Sequence, residues 1–310
     1  MALAQFPTLS IVVPCYNVEH VIERCIKALL EQDYPKEKIS IIIIDDKSTD
    51  NTGQIIQRYQ KNEQVKIIKH FKNRGLAAAR NSGIKASKSQ IVGFLDSDMV
   101  VKKNWAKVMI SELSNNGVEA CMGGIKLAES LTPNNLDKFL YNPTRGVLKH
   151  GENQPIRFKW FLLNNTTVKR TAINEVGKFD ESITSYGGED TDFAIRLWDK
   201  YEDGLRYSSK AIGEHYHQRS LQELQKKMEN YGKTTYLRLL ERYPNHTKDL
   251  AGDWVNTLKG KLVFNPIVYW LVQLIYFAIP AHYFVRFFIA NSLISGARNP
   301  AEGIPKFQSM

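Results

Sequence analysis

Two rhythms of apolar residues alternate through the first hundred positions. Apolar, β-branched-rich runs fall at 9–14, 39–44, 65–69 and 91–95, and between them apolar positions recur three and four apart. The first pattern reads as strand and the second as helix, because side chains repeat a face every two residues in one and every 3.6 in the other. Helices are predicted over 18–31, with Val21, Ile22, Cys25, Ile26, Leu29 and Leu30 inward and Asn17 as N-cap, and over about 52–60, opened by the cap-rich Ser48-Thr49-Asp50-Asn51-Thr52. Two more are predicted over 76–85 and near 104–113. The strands are too apolar to own a solvent face. The expected fold is therefore α/β, a parallel sheet covered by helices on both sides.

Beyond Ala120 the pattern loosens. Gly123-Gly124, Pro133, Pro143 and Pro155 punctuate it. Residues 158–169 read as partly extended, 179–181 and 186–190 as loops, 192–200 as helix, and 205–207 as a short strand before Gly213-Glu214-His215-Tyr216-His217. Ser220 is placed to cap a helix reaching toward Arg242. The last element is an uncharged run over 262–285, interrupted by Pro266, Gln273, Pro280 and His282 and split by Arg286 from 287–294. Tyr269, Trp270, Tyr276 and Tyr283 are side chains that favour membrane–water interfaces. Three readings follow, in order: a broken helical hairpin in a membrane surface, a single-pass anchor, or an apolar patch that forms a dimer.

Composition narrows the partners. Hydrophobic residues at 43% and charged ones at 24% describe a globular chain. Forty-two basic against 32 acidic residues leave +10, which favours phosphates, nucleic acid or an anionic membrane. From Lys226 onward there are eleven basic residues and five acidic, so more than half the surplus lies in the tail. Three cysteines without a Cys-x-x-Cys pair make no disulfide framework, and a reducing compartment is expected. Residues 1–7 lack a basic region followed by an apolar run, so no signal peptide is expected.

The candidate chemistry stands at strand ends. Asp45-Asp46 closes the second run and Asp96-Ser97-Asp98 the fourth. In open α/β sheets such ends gather at one crevice. If extended backbone continues to Asp98, the two carboxylates point the same way, roughly 6–7 Å apart. Like charges held so close are relieved by a cation, and oxygen ligands suit Mg²⁺ or Mn²⁺ bridging to substrate phosphates. The plainer alternative is a surface turn.

Six stretches in order carry a resemblance: Ser10-Ile11-Val12-Val13-Pro14-Cys15-Tyr16-Asn17; Ile44-Asp45-Asp46-Lys47-Ser48-Thr49-Asp50; Asn73-Arg74-Gly75-Leu76-Ala77-Ala78-Ala79-Arg80-Asn81; Phe94-Leu95-Asp96-Ser97-Asp98; Val176-Gly177-Lys178-Phe179-Asp180-Glu181; and Gly188-Glu189-Asp190-Thr191-Asp192. Together they resemble the family 2 glycosyltransferases, whose nucleotide-sugar-binding fold is called GT-A. The likeness covers about 9–220 and leaves out the tail. It implies a GT-A catalytic domain over 1–225, with a nucleotide-binding half to about 100 and an acceptor half beyond. A helical region over 226–310 would then hold a membrane-associating segment at about 262–296.

The resemblance also implies roles. Asp45 or Asp46 would accept hydrogen bonds from the base, with Pro14, Tyr16 and Asn17 lining the nucleotide pocket and Ser97 on the donor side. Arg80 would sit near the diphosphate, or else be a surface arginine of its helix. Asp98 would be the principal ligand of Mn²⁺ or Mg²⁺, with Asp96 on the sugar, its ribose or the metal. His217, rather than His215, would complete the metal site, unless both are partly buried histidines. Asp190 would be the catalytic base, its alternative being an acidic helix start. Gly188 and Glu189 would border the sugar, as would Trp160 and Asn165.

The implied activity is a metal-dependent, inverting transfer of a hexosyl-type sugar from a UDP- or GDP-sugar to an acceptor hydroxyl. The basic, apolar tail points to a lipid-linked or cell-surface glycan acceptor, with the protein peripheral or monotopic on the cytoplasmic side of an anionic membrane. Two other readings stand beside it. Leu95-Asp96-Ser97-Asp98 also resembles the motif of aspartyl-phosphate phosphatases, although three βα units precede it here. The charge alone fits a nucleic-acid-binding protein, but no zinc, basic-zipper or RNP pattern accompanies it, and no nucleic-acid partner is expected. No Gly-x-Gly-x-x-Gly follows the first strand, which argues against a dinucleotide dehydrogenase. Sugar, nucleotide, acceptor, linkage and oligomeric state are left open.

Overall fold

A computed structural model describes residues 6–149, 154–279 and 281–307. Pro280 and most of the N-terminal stretch lie outside the described residues. In chain order the elements are β1 Leu9–Cys15, α1 Ile22–Leu30, β2 Ile39–Asp45, α2 Thr52–Gln57, β3 Val65–Lys69, α3 Leu76–Ala86, β4 Ile91–Leu95, β5 Met99–Val101, α4 Trp105–Leu113 and β6 Ala120–Leu127. They continue with α5 Asn135–Leu140, β7 Asn165–Lys169, α6 Arg170–Val176, α7 Glu189–Lys200, β8 Leu205–His215, α8 Leu221–Lys233, α9 Thr235–Arg242, α10 Asp253–Asn256, α11 Leu258–Val263, α12 Pro266–Ala278 and α13 Val285–Arg298.

Contacts divide the chain into two units. The first takes in residues up to Leu131, Pro143–Thr184 and Glu189–His217. It holds a sheet in the order β3-β2-β1-β4-β7-β6-β8-β5. β3, β2, β1 and β4 run parallel, as the alternation of apolar runs with helices predicts. β1 and β4 are buried along their whole length, whereas β3, at the edge, is only partly covered. A mostly parallel sheet was expected, and the other half is mixed. β7 runs antiparallel to both β4 and β6, and β5 antiparallel to β8, while β6 and β8 are parallel. Strand direction is settled by which distant segments meet, and periodicity carries no record of that. The short strand expected at 205–207 extends without a break to His215, with a register shift opposite Gly123 and Ile125. The three cysteines are free and buried.

The end of α1 nearest the site also differs from expectation. Asn17 adopts φ 53°, a left-handed conformation that Asn tolerates better than most residues. It does not cap α1. Its side-chain oxygen accepts from the backbone N–H of Thr49 at 2.8 Å, tying β1's exit to β2's. Val18 N–H instead donates to Thr52 Oγ1 at 2.8 Å, and the helix begins at Ile22.

The second unit comprises Thr132–Asn142, Ser185–Gly188 and residues from Gln218 onward. The Ser220 cap is present as a capping box with Glu223, and Asn134 makes another with Asp137. The helix predicted to run to Arg242 breaks at Thr234 into α8 and α9. α8 and α13 approach backbone to backbone: a Cβ on Gly296 would lie 2.1 Å from the Glu229 carbonyl, and one on Gly232 2.2 Å from that of Leu293. The apolar run forms α12 and leads into α13, which fold against each other through Tyr269 and Tyr276 on Phe288, at ring separations of 5.6 and 5.3 Å. Among the described residues no helix is long and apolar enough to cross a membrane.

Candidate active site

Strand β4 stops at Leu95, and the chain then turns. Met99 N–H donates to the Asp96 carbonyl at 3.1 Å and Asp96 N–H to that of Asn164 at 2.9 Å. The extended backbone assumed through Asp98 is therefore absent, because Asp and Ser readily close such a turn. The turn delivers β5, whose Met99 pairs with His215 at the end of β8. That register decides Asp98's neighbour: His215 Nε2 stands 3.2 Å from Asp98 Oδ2, and Tyr216 N–H donates to the Asp98 carbonyl. His215 is thus the histidine in contact with the carboxylate, and the ring of His217, the expected metal ligand, stands 6.0 Å from that of His215. Burial raises the Asp98 pKa, but hydrogen bonding to His215 and the charges of both histidines outweigh it, and the carboxyl lies below its usual range.

A second acidic group surrounds Arg80. Its side chain is 1% exposed, so it is no surface arginine, and it faces carboxylates directly. Nη1 pairs with Asp190 Oδ1 and lies 3.4 Å from Glu189 Oε1, while Nη2 lies 3.6 Å from Asp96 Oδ1. The guanidinium covers the Phe179 ring at 5.3 Å. Burial disfavours its charge, but Asp190, Asp96 and Glu189 more than offset that and raise its pKa. The other oxygen of Asp190 accepts from Leu163 N–H at 3.2 Å. Glu189 and Asp190 are not in a loop, as expected, but in the first turn of α7, where the helix dipole favours anions. Burial, then the Asp190 charge, pushes the Glu189 carboxyl up to about 7. Asp96 is also raised, by burial against the opposing pull of Arg80.

The two carboxylates at the end of β2 do different things. Asp46 spends both oxygens on the loop before α3, accepting from Arg74 and Gly75 N–H, and meets His70 Nδ1 at 2.6 Å. Asp45 accepts from Ser48 N–H through Oδ1. Pro14 is buried in β1, Tyr16 is half exposed beyond it, and Ser97 is buried at the Cys15 thiol.

Three other candidates have local tasks. Asn165 is wholly buried: its oxygen accepts from Trp105 Nε1 at 2.7 Å and its amide donates to the Gly124 and Ala211 carbonyls. It pins the sheet, which corrects its placement beside the sugar. Trp160 is partly buried against Gly146. Gly188 has φ 100°, and a Cβ there would come 2.4 Å from Thr235 Cγ2, so packing and a left-handed backbone account for the glycine. A groove of about 580 Å³ lies in the second unit, between α8, α13 and the start of α12, and none of these candidates lines it.

The donor set at Asp98 suits a divalent cation. Asp98 Oδ1 is buried and finds no hydrogen-bond partner among the described residues. A carboxylate oxygen left so beside an imidazole, with the Asp96 carboxylate near enough to feel its charge, fits Mn²⁺ or Mg²⁺. Among the described residues no group of three or more His, Cys, Asp and Glu encloses an ion. Mg²⁺ bound through one or two carboxylates takes its other ligands from water and substrate phosphate, so the fit holds.

A sheet whose parallel half ends in carboxylates, joined to a mixed half that brings a histidine back to them, defines a GT-A-type α/β fold. The family described as Glycosyl transferase family 2 matches residues 10–166, about half of the chain. The chain belongs to that family, and its fold is of the GT-A type. Among curated relatives it is 31% identical to the glycosyltransferase AglE of Haloferax volcanii, over 39% of this chain and 40% of that protein. It spans about a third to a half of the length of the first curated relatives it matches. Among solved structures, S. aureus TarS 1-349 is similar with TM-score 0.55 at 19% identity, covering 97% of this chain and 99% of that one. The mannosyltransferase PcManGT of Pyrobaculum calidifontis reaches TM-score 0.63 at 15% identity, over 94% and 87%. These two likenesses show the fold. The phosphatase and nucleic-acid readings gain nothing from these matches.

Proposed function

We propose that the protein transfers a sugar from a nucleotide-diphosphate donor to an acceptor hydroxyl, with inversion at the anomeric carbon and with Mn²⁺ or Mg²⁺ bound through Asp98. The observation that carries the reading is the buried, unpartnered Oδ1 of Asp98 beside His215. TarS has been solved with UDP-GlcNAc, and PcManGT with GDP-Man and Mn²⁺. Carried over to this chain, those ligands support a UDP- or GDP-sugar donor. A bound cation would supply positive charge against the departing diphosphate.

The remaining roles belong to the chain's own residues. Asp45 keeps Oδ2 for the base, since Asp46 is committed to the loop before α3. Asp190 takes the proton from the acceptor hydroxyl as that oxygen attacks the anomeric carbon and the nucleoside diphosphate leaves. Arg80 and Leu163 N–H hold its carboxylate in place for this. Such general-base help contributes about 10²–10⁴ in rate. The acceptor is a lipid-linked or cell-surface glycan, met at the cytoplasmic face of a membrane.

The test is a panel of UDP- and GDP-sugars with Mn²⁺, read as nucleotide release. One donor should turn over, and Asp190→Asn should bind it unchanged while losing about 10²-fold or more in transfer. Full transfer by Asp190→Asn sinks the base assignment, and release from no donor sinks the reading as a whole.

A further inference from the structure

Helix α12 has the composition of a protein core and none of its burial. Not one residue between Pro266 and Ala278 is buried. At 3.6 residues per turn each position advances about 100°. Val268, Tyr269, Val272 and Tyr276, the partly covered residues, then share an arc of about 100° that faces α13. The exposed residues sweep the other 200° or so: Ile267, Trp270, Leu271, Leu274, Ile275 and Phe277, with Gln273 at the edge. Phe277 is 89% exposed, Ile267 72% and Trp270 58%. The surface continues into Leu258 and Leu262 upstream and Ile279 and Tyr283 downstream.

The breadth of that arc selects the occupant. A packed protein partner needs a stripe of about 100°. An apolar face twice that wide, on a helix held along one side only, matches a fluid medium that surrounds it. At 13 residues α12 is about 20 Å long, short of the roughly 30 Å hydrocarbon core, so it lies along the surface instead of crossing. Charge selects further. From Trp254 to Ala301 there is no Asp or Glu, while Lys259, Lys261 and Arg286 stand exposed around the apolar face. Apolar residues, aromatic side chains with polar edges and unopposed cations together match one leaflet of a bilayer bearing anionic headgroups.

We infer that α12 docks this protein in the plane of an anionic lipid leaflet, with Ile267, Trp270, Leu271, Leu274 and Phe277 among the acyl chains and Lys259, Lys261 and Arg286 at the headgroups. The inference adds a membrane-binding site in the second unit to the proposed reaction, and it can fail or hold independently of the chemistry.

The full chain is mixed with vesicles of phosphatidylcholine alone or with 30% phosphatidylglycerol (roughly the anionic fraction of a charged membrane surface) and floated. It should bind the anionic vesicles about 10-fold or more tighter, an advantage lost in high salt. Leu271→Glu with Leu274→Glu leaves the α13-facing residues untouched and should abolish flotation, while nucleotide release from soluble donor and the melting temperature stay as they were. Brominated acyl chains should quench the wild-type tryptophan fluorescence and quench Trp270→Phe less. Unchanged flotation of the double variant overturns the inference. So does a wild type that ignores vesicles but forms a dimer that the double variant cannot form. Loss of donor turnover in a chain that still floats would count against the transfer reading alone.

Discussion

Arg80 is the residue on which the site's electrostatics turn. It is the buried cation among Asp190, Glu189 and Asp96, and removing it would leave three carboxylates drawing on one another's hydration. Arg80→Met should therefore destabilise the fold by about 3–5 kcal/mol, read as the urea midpoint at pH 7. Arg80→Lys should recover only part of this, because a single ammonium lacks the planar fork that reaches several acids. Glu189 gives a pH signature. Its carboxyl is pushed up to about 7, so around pH 5–7 the folded state holds more proton than the unfolded state. Stability from this group is complete below its ordinary range near pH 4.5 and is lost as pH rises through about 7. Glu189→Gln should narrow the gap in melting temperature between pH 5 and pH 8, and an unchanged gap would refute that assignment. The identities of these residues were legible in the sequence, but their pairing was not. Arg80 stands 109 positions before Glu189, and nothing local in an alanine-rich helix announces a buried guanidinium.

Among elements, the crossing of α8 and α13 is the most constrained. Gly232 and Gly296 face carbonyls of the opposite helix at distances no Cβ tolerates. Gly296→Leu should force the helices apart and cost about 1–3 kcal/mol or more, seen as a fall in the thermal midpoint. Elements whose cause is local were readable in advance. β1 to β4 are apolar runs, and the Ser220 capping box is a spacing. Elements with distant causes were not. The 205–207 segment lengthens to His215 because β6 and β5 flank it. α7 starts at Glu189, in what read as a loop, where Arg80 balances its acidic first turn.

For the whole molecule, metal binding offers a readout besides activity. Mn²⁺ with a nucleoside diphosphate should raise the melting temperature of the wild type by several degrees, on the order of 2.7 kcal/mol at a hundred times Kd. Asp98→Asn should lose that shift. An equal shift in both proteins would remove Asp98 from the metal site. A rim of acids at the ends of parallel strands was foreseeable, because strand polarity collects those ends on one edge. That Asp98 is met by His215, and Asp190 by Arg80, was not.

The order of apolar runs, the acids that close two of them, the caps and the acid-free apolar run near the end are properties of the sequence itself, since each has its physical cause within a few residues. Strand direction in the second half of the sheet, the turn that separates Asp96 from Asp98, the histidine chosen and the cation among the carboxylates came from tertiary structure. Those depend on which distant segments bury one another, and that choice is made by the packing of the whole chain.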